Sequence, residues 1–197
     1  MKTYKAAILA ADGFEQSELF EPLEALRQAG VEVKIVSLKS GEIKGWNHTE
    51  WGKKVSVDMT VTECRPEDFD ALILPGGLMS PDILRQDIGA VGLISTFAEQ
   101  GKVIAAICHA PWLLIEADLV EDRNITSYRS VKTDLLNAGA HWKNEAVVVD
   151  AGIITSRGPE DIPAFCKKIL EEMKEGAQHH LSLRRHQKRP GEKHLQI

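Results

Sequence analysis

Residues 102–114, K-V-I-A-A-I-C-H-A-P-W-L-L, run a strand-length apolar stretch directly into a helix start with no polar linker between them. A strand that turns sharply into a helix belongs to an open α/β fold, and it holds the side chain at the turn above the carboxyl edge of the sheet, where such folds keep their sites. The side chain at this turn is Cys108, followed by His109. Free N–H groups and the dipole at a helix N-terminus favour an anion, and the anion of cysteine is its nucleophilic thiolate. Pro111 suits the first helical turn, where its missing N–H has no partner to lose. A cysteine ending an apolar strand also serves as a small hydrophobe, and a histidine beside it can simply cap a helix. Their adjacency at a strand-to-helix turn points to a nucleophile elbow.

The rest of the chain supplies the sheet that such an elbow needs. Lys5 to Ala10 reads as a first strand, closed by the turn Asp12-Gly13-Phe14. Glu15 to Ala29 carries Leu19, Leu23, Leu26 and Ala29 on one helical face and stops at Gly30, with Pro22 predicting a kink or a late start. Val31 to Leu38 is a second strand, so the first unit is a parallel, right-handed crossover. No G-x-G-x-x-G follows the first strand, and a dinucleotide site is not supported. Residues 40–60, with Gly41, Gly45, Gly52, Trp46, His48 and Trp51, read as a hairpin or meander decorating the sheet edge, with Val55 to Val57 as its last strand. Ala71 to Leu74 is a strand buried on both faces and ends at Pro75-Gly76-Gly77, a pattern that lets backbone N–H groups approach a bound group or simply makes a tight turn. Ser80-Pro81-Asp82 has the order of a serine N-cap, a first-turn proline and a dipole-favoured acid. A helix over 87–100, brief strands near 124–127, 140–142, 146–149 and 153–156, a helix over 131–137 and a last helix over 162–175 complete the alternation.

Composition narrows the classes. With 43% hydrophobic and 27% charged residues in 197, the chain has the make-up of one globular domain. Its apolar runs are strand length, far short of the roughly 20 residues that cross a bilayer, so no membrane segment is expected. Cys64, Cys108 and Cys166 are odd in number and far apart, which argues against a disulfide scaffold or zinc site and for a reducing cytoplasm. The net charge of −5 conceals an asymmetry: residues 176–197 carry Arg184, Arg185, Lys188, Arg189 and Lys193 against Glu192, a net +4 that leaves −9 for the body. Nucleic-acid binding is therefore disfavoured except through this basic tail, read as flexible, and residues 1–175 form the single folded domain.

With these pieces placed, the sequence resembles the ThiJ/PfpI superfamily, most closely its PfpI-type intracellular protease or deglycase branch. The resemblance spans about residues 4–173 and rests on A-A-D-G-F-E (10–15), D-A-L-I-L-P-G-G (70–77), the acid at Asp82, A-I-C-H-A-P (106–111) and T-S-R-G-P-E-D-I-P-A-F (155–165). It implies an α/β, flavodoxin-like three-layer sandwich with a mostly parallel central sheet, related to class I glutamine amidotransferases. It also implies roles. Cys108 is the nucleophile and His109 its partner; Glu15 is the protonated carboxyl hydrogen-bonded to the sulfur; Gly77 and the His109 N–H form the oxyanion hole; Asp82 of a neighbouring subunit completes a Cys-His-acid triad. Two departures stand out: the family usually has glycine where this chain has Ala110, and many relatives carry glutamate where Asp82 sits.

The function implied is a cysteine-dependent stress-response hydrolase acting on methylglyoxal, glyoxal or their early glycation adducts, with no metal or organic cofactor. A peptidase using the same thiolate, and a redox-sensing or chaperone-like protein whose cysteine is reversibly oxidised, are the alternatives. The expected partners are the chain itself, as a homodimer or hexamer sharing its active site, and a small carbonyl compound, glycated protein or peptide.

Overall fold

Hydrophobic runs that alternate between strand and helix length fold here into a layered structure, for which a computed structural model describes residues 3–176. In chain order the elements are β1 (Lys5–Leu9), β2 (Phe14–Glu15), α1 (Gln16–Gln28), β3 (Glu32–Ser37), β4 (Gly41–Asn47), β5 (Glu50–Val57), β6 (Met59–Thr60), β7 (Ala71–Leu74), α2 (Met79–Arg85), α3 (Ile88–Glu99), β8 (Val103–Ile107), α4 (Pro111–Glu116), β9 (Asn124–Ile125), α5 (Lys132–Asn137), β10 (His141–Trp142), β11 (Val147–Asp150), β12 (Ile153–Ser156) and α6 (Ile162–Glu175). The tail read from sequence as 176–197 lies, beyond Gly176, outside the described residues.

Seven strands form the central sheet in the order β11-β12-β8-β7-β1-β3-β6. All neighbours run parallel except the edge pair β11–β12. Both faces are covered, as a parallel sheet requires. Alternate residues of each strand serve the two faces: Ala7, Leu9, Leu72, Leu74, Ile104 and Ala106 pack with the helices α2 to α5, while Ala6, Ile8, Ile73, Ala105 and Ile107 pack with α1 and α6. This is the three-layer, flavodoxin-like arrangement.

Three local expectations are corrected. The hairpin β4–β5 does not sit on the main sheet edge; with β2 it forms a separate three-stranded sheet, and the short β6 takes the edge beside β3. β2, in the segment following β1, pairs with β4, and the join is pinned by Gly13 N–H to the Lys44 carbonyl at 2.8 Å and Lys44 N–H to the Asp12 carboxylate at 2.7 Å. Ser80 is not a helix cap. α2 begins one residue earlier at Met79, and the buried Ser80 Oγ instead accepts the Ala11 N–H at 2.9 Å, satisfying a backbone donor where β1 has just ended. Pro22 does not delay the start of α1, which begins at Gln16 and continues through it.

Candidate active site

β8 is buried along its whole length between β7 and β12, so the residue after it emerges at the middle of the carboxyl edge. That residue is Cys108, and its φ of 64° lies in the left-handed region, a conformation that costs an L-residue roughly 1–2 kcal/mol. Hydrogen bonds on both sides hold it there: Cys108 N–H donates to the Ser156 carbonyl at 3.0 Å, and the Cys108 carbonyl accepts from Tyr128 N–H at 2.9 Å. The helix that follows begins at Pro111. Its first free donors, Trp112 and Leu113 N–H, are spent on the His109 and Ala110 carbonyls, so the anion-favouring donors at the sulfur come from elsewhere.

They come from Gly77 and His109, whose backbone N–H groups act on the Cys108 sulfur in the sense that favours its anion. Gly77 can present its N–H because its φ is 91°; a side chain there would collide with the Gly13 carbonyl at 2.6 Å. Gly76 is needed for space, since a Cβ on it would lie 2.6 Å from Glu18 Oε2 and 2.7 Å from Cys108 Cβ.

The carboxyl at the sulfur is Glu18, not Glu15. Glu15 stands just outside α1 and its carboxylate caps the helix, accepting Glu18 N–H at 2.8 Å and the Ser17 hydroxyl at 2.5 Å. Glu18, one turn later, is fully buried; its Oε2 accepts Gly76 N–H at 2.9 Å, its Oε1 is buried without a hydrogen-bond partner, and the carboxyl is electrostatically coupled to the Cys108 thiol. The physical reason is simple. Position 15 faces the free N–H groups of the helix end, which attract a carboxylate, whereas position 18 lies on the inner face with Leu19, Pro22, Leu23 and Leu26. A lone acid on that apolar face was the signal available in the sequence.

Burial pushes the Glu18 carboxyl up from 4.5 to about 8, with the Glu15 charge adding to the effect, so it holds its proton at neutral pH. Burial also pushes the Cys108 thiol up, as would a charge on Glu18, while the Gly77 and His109 N–H groups oppose the rise. A protonated Glu18 removes the repulsion and offers the sulfur a donor in its place. His109, buried, is pushed down and is neutral.

The His109 ring lies with Nδ1 3.2 Å from Cys108 Sγ and Nε2 3.1 Å from Ser130 Oγ. Among the described residues no carboxylate is hydrogen-bonded to this ring. Asp82 is exposed on α2, where Gln86 Nε2 bonds its backbone carbonyl at 2.8 Å and approaches its carboxylate at 3.5 Å. Of the residues expected at the site, Cys108, His109 and Gly77 are brought together; Glu15 and Asp82 are not. Glu18 and Ser130 are additions. Ala110 is buried in the core on the α2–α5 side of the sheet, while Cys108 packs on the α1–α6 side. Among the described residues no three His, Cys, Asp or Glu side chains are grouped to hold a metal ion.

The model of the DJ-1/PfpI family matches residues 4–172. The chain belongs to this family. Among its relatives, the protein YraA of Bacillus subtilis, provisionally named a cysteine protease, is 41% identical over 86% of this chain and 98% of its own length. A deglycase of Thermococcus kodakarensis is 40% identical over 85% of this chain and 98% of its own. Among solved structures, DJ-1beta of Drosophila melanogaster superposes with a TM-score of 0.79 at 29% identity, covering 92% of this chain and 95% of that one. Family membership supports a cysteine-dependent catalytic role in general. No helix among the described residues is long and apolar enough to cross a membrane.

Proposed function

We propose that this DJ-1/PfpI chain is a cytoplasmic hydrolase of reactive carbonyls, converting methylglyoxal to lactate, glyoxal to glycolate, and releasing the same acids from their early adducts with amines or thiols. The observation that carries the reading is the neutral, buried Glu18 carboxyl against the Cys108 thiol, with the Gly77 and His109 N–H groups at the same sulfur. These are the donors a thiolate needs in order to persist in a buried place. The thiol proton passes to His109 Nδ1 and the sulfur adds to the aldehyde carbon, forming the C–S bond of a hemithioacetal; the carbonyl oxygen takes up a proton. The C–H proton of that carbon moves to the neighbouring ketone carbon and the new hydroxyl's proton passes to the ketone oxygen, giving the thioester of lactate. A carboxyl that titrates near 8 is suited to hold and release such a proton. Water then cleaves the thioester to lactate and frees the thiol. One water is added overall, and no oxidant or reductant is consumed. The names of the deglycase relatives accord with this chemistry.

The test is lactate release from methylglyoxal. Wild-type protein should form it and Cys108→Ser should not; lactate formation that survives the substitution would sink the proposal. Peptide hydrolysis by the same thiolate is the second reading, favoured by the name of the Bacillus relative. It gives Asp82 a part, as the orienting acid for His109 of a neighbouring copy in a homo-oligomer. Cleavage of fluorogenic peptides that is lost in both Cys108→Ala and Asp82→Ala would support it, and a fully active Asp82→Ala would remove Asp82 from the site.

A further inference from the structure

A histidine that takes a proton from a neighbouring thiol needs its unprotonated nitrogen facing the sulfur and something to hold the other nitrogen's proton. In this chain the second requirement is met by a serine. Nε2 of His109 lies 3.1 Å from Ser130 Oγ while Nδ1 lies 3.2 Å from Cys108 Sγ. The ring is flanked on two sides: Tyr128 stacks on it with centroids 4.9 Å apart and planes 26° apart, and Trp112 packs on it at 5.1 Å and 60°. Trp112 is itself fixed by Nε1–H to the Asp134 carboxylate at 2.7 Å. Ser130 sits in a 3-10 turn over Arg129–Val131, anchored by the fully buried Val131 and by Val131 N–H to the Tyr128 carbonyl at 3.0 Å. Tyr128 N–H in turn donates to the Cys108 carbonyl, so the segment carrying the serine is tied to the residue carrying the sulfur.

We propose that Ser130 is the positioning residue of His109: its hydroxyl oxygen accepts from Nε2–H and thereby leaves Nδ1 as the nitrogen that takes the Cys108 proton. The opposite assignment would set Nδ1–H against a neutral thiol, a weak acceptor. With Nε2–H on Ser130, the thiol donates to Nδ1. After transfer the imidazolium donates to the thiolate and to the same serine oxygen, so no partner has to turn round. One proton moves from sulfur to Nδ1, leaving a thiolate and an imidazolium, and no electron is transferred. The ionisable groups around the ring are the Cys108 thiol and the Tyr128 phenol at contact, Glu18 beyond the sulfur, and Asp134 and Arg85 beyond Trp112. Ser130 thus does within one chain, as a neutral acceptor, what a carboxylate does in other triads.

The inference rests on the cysteine chemistry proposed above but not on its substrate, so the test reads the thiol itself. Iodoacetamide alkylation of Cys108, followed by peptide mass spectrometry from pH 5 to 10, is compared in wild type, Ser130→Ala and Ser130→Thr, with urea midpoints to show that each variant is folded. Loss of one ordinary hydrogen bond should slow Ser130→Ala about fivefold at pH 7 and move the midpoint of its profile to higher pH. Ser130→Thr, which keeps the hydroxyl, should stay within about twofold of wild type by the same reasoning. With methylglyoxal, kcat should fall in Ser130→Ala and KM should not change. A Ser130→Ala profile identical to wild type, or a Ser130→Thr as slow as alanine, would overturn the proposal. If wild type releases no lactate yet its alkylation depends on Ser130 as described, the positioning role stands and the carbonyl reading falls.

Discussion

Replacing Glu18 by glutamine tests the protonation state on which the site depends. The amide keeps an oxygen for the Gly76 N–H, 2.9 Å from the present Oε2, and keeps a donor for the sulfur, but it cannot ionise. In the wild type the carboxyl titrates at about 8 in the folded chain against 4.5 when exposed. Between those values the unfolded chain has released a proton that the folded chain still holds, so stability falls as pH rises. The contribution of the neutral carboxyl is fully present below about pH 4.5 and gone above about 8. At ~1.4 kcal/mol per pH unit the interval corresponds to roughly 5 kcal/mol, and about 3 kcal/mol of it is lost by pH 7. Glu18 is fully buried, so solvent screening takes little from this figure. Glu18→Gln should therefore match the wild type in stability near pH 4.5 and exceed it progressively to pH 8. Urea unfolding of both proteins at half-unit steps across that range measures the difference, in which the remaining ionisable groups cancel. A difference that is flat with pH, or that shrinks, would refute the reasoning and place the charge on Glu18 rather than on the sulfur.

Other substitutions separate the parts of the site. Glu15→Ala should cost ~1 kcal/mol of stability through the lost helix cap, measured by urea midpoint, while Cys108 alkylation at pH 7 stays within about twofold of wild type because a single ordinary hydrogen bond to the sulfur is not involved. Ser80→Ala leaves the buried Ala11 N–H without its partner and should cost ~1–3 kcal/mol, with thiol reactivity retained in the folded fraction. Gly76→Ala drives a methyl into Glu18 Oε2, Cys108 Cβ and the Ile107 carbonyl, all within 2.7 Å; about 1–3 kcal/mol of overpacking and loss of selective Cys108 alkylation are expected together. Under mild peroxide, oxygen should add at Cys108 before Cys64 and Cys166, read by mass spectrometry, since the Gly77 and His109 N–H groups act on the first of these sulfurs in the sense that favours its anion; equal oxidation of the three would argue against a specialised thiol.

Much of this architecture was legible because strand and helix periods here are unambiguous. Ala71–Leu74, Val103–Ile107 and Ile162–Glu175 fall where the apolar patterns place them, and burial on both faces of β7 and β8 is written in their unbroken hydrophobic runs. Cys108, His109 and Gly77 were legible for the same reason, since each follows within three residues of the end of such a run. What failed was the assignment of the sulfur's carboxyl to Glu15, since the acid that takes the place is Glu18, three residues on. Glu15 and Glu18 differ in whether the side chain faces a helix end or the helix interior, and that depends on α1 beginning at Gln16, a boundary that periodicity fixes poorly. Ser80 failed likewise: a helix starting at Met79 turns a plausible cap into a partner for the Ala11 N–H just beyond β1. Ser130 carries no pattern at all. It reaches His109 only because a 3-10 turn far along the chain folds back over the sulfur.

The left-handed backbone at Cys108 sets stability and chemistry against each other at one residue. A glycine at this position would adopt φ near 64° without steric penalty, relieving roughly 1–2 kcal/mol and destroying the nucleophile in the same step. Directed evolution of this chain for thermal resistance alone is thus expected to discard Cys108 early, and only alternating rounds that also select on thiol chemistry would keep it. The strained turn makes the sulfur a character that selection must actively hold.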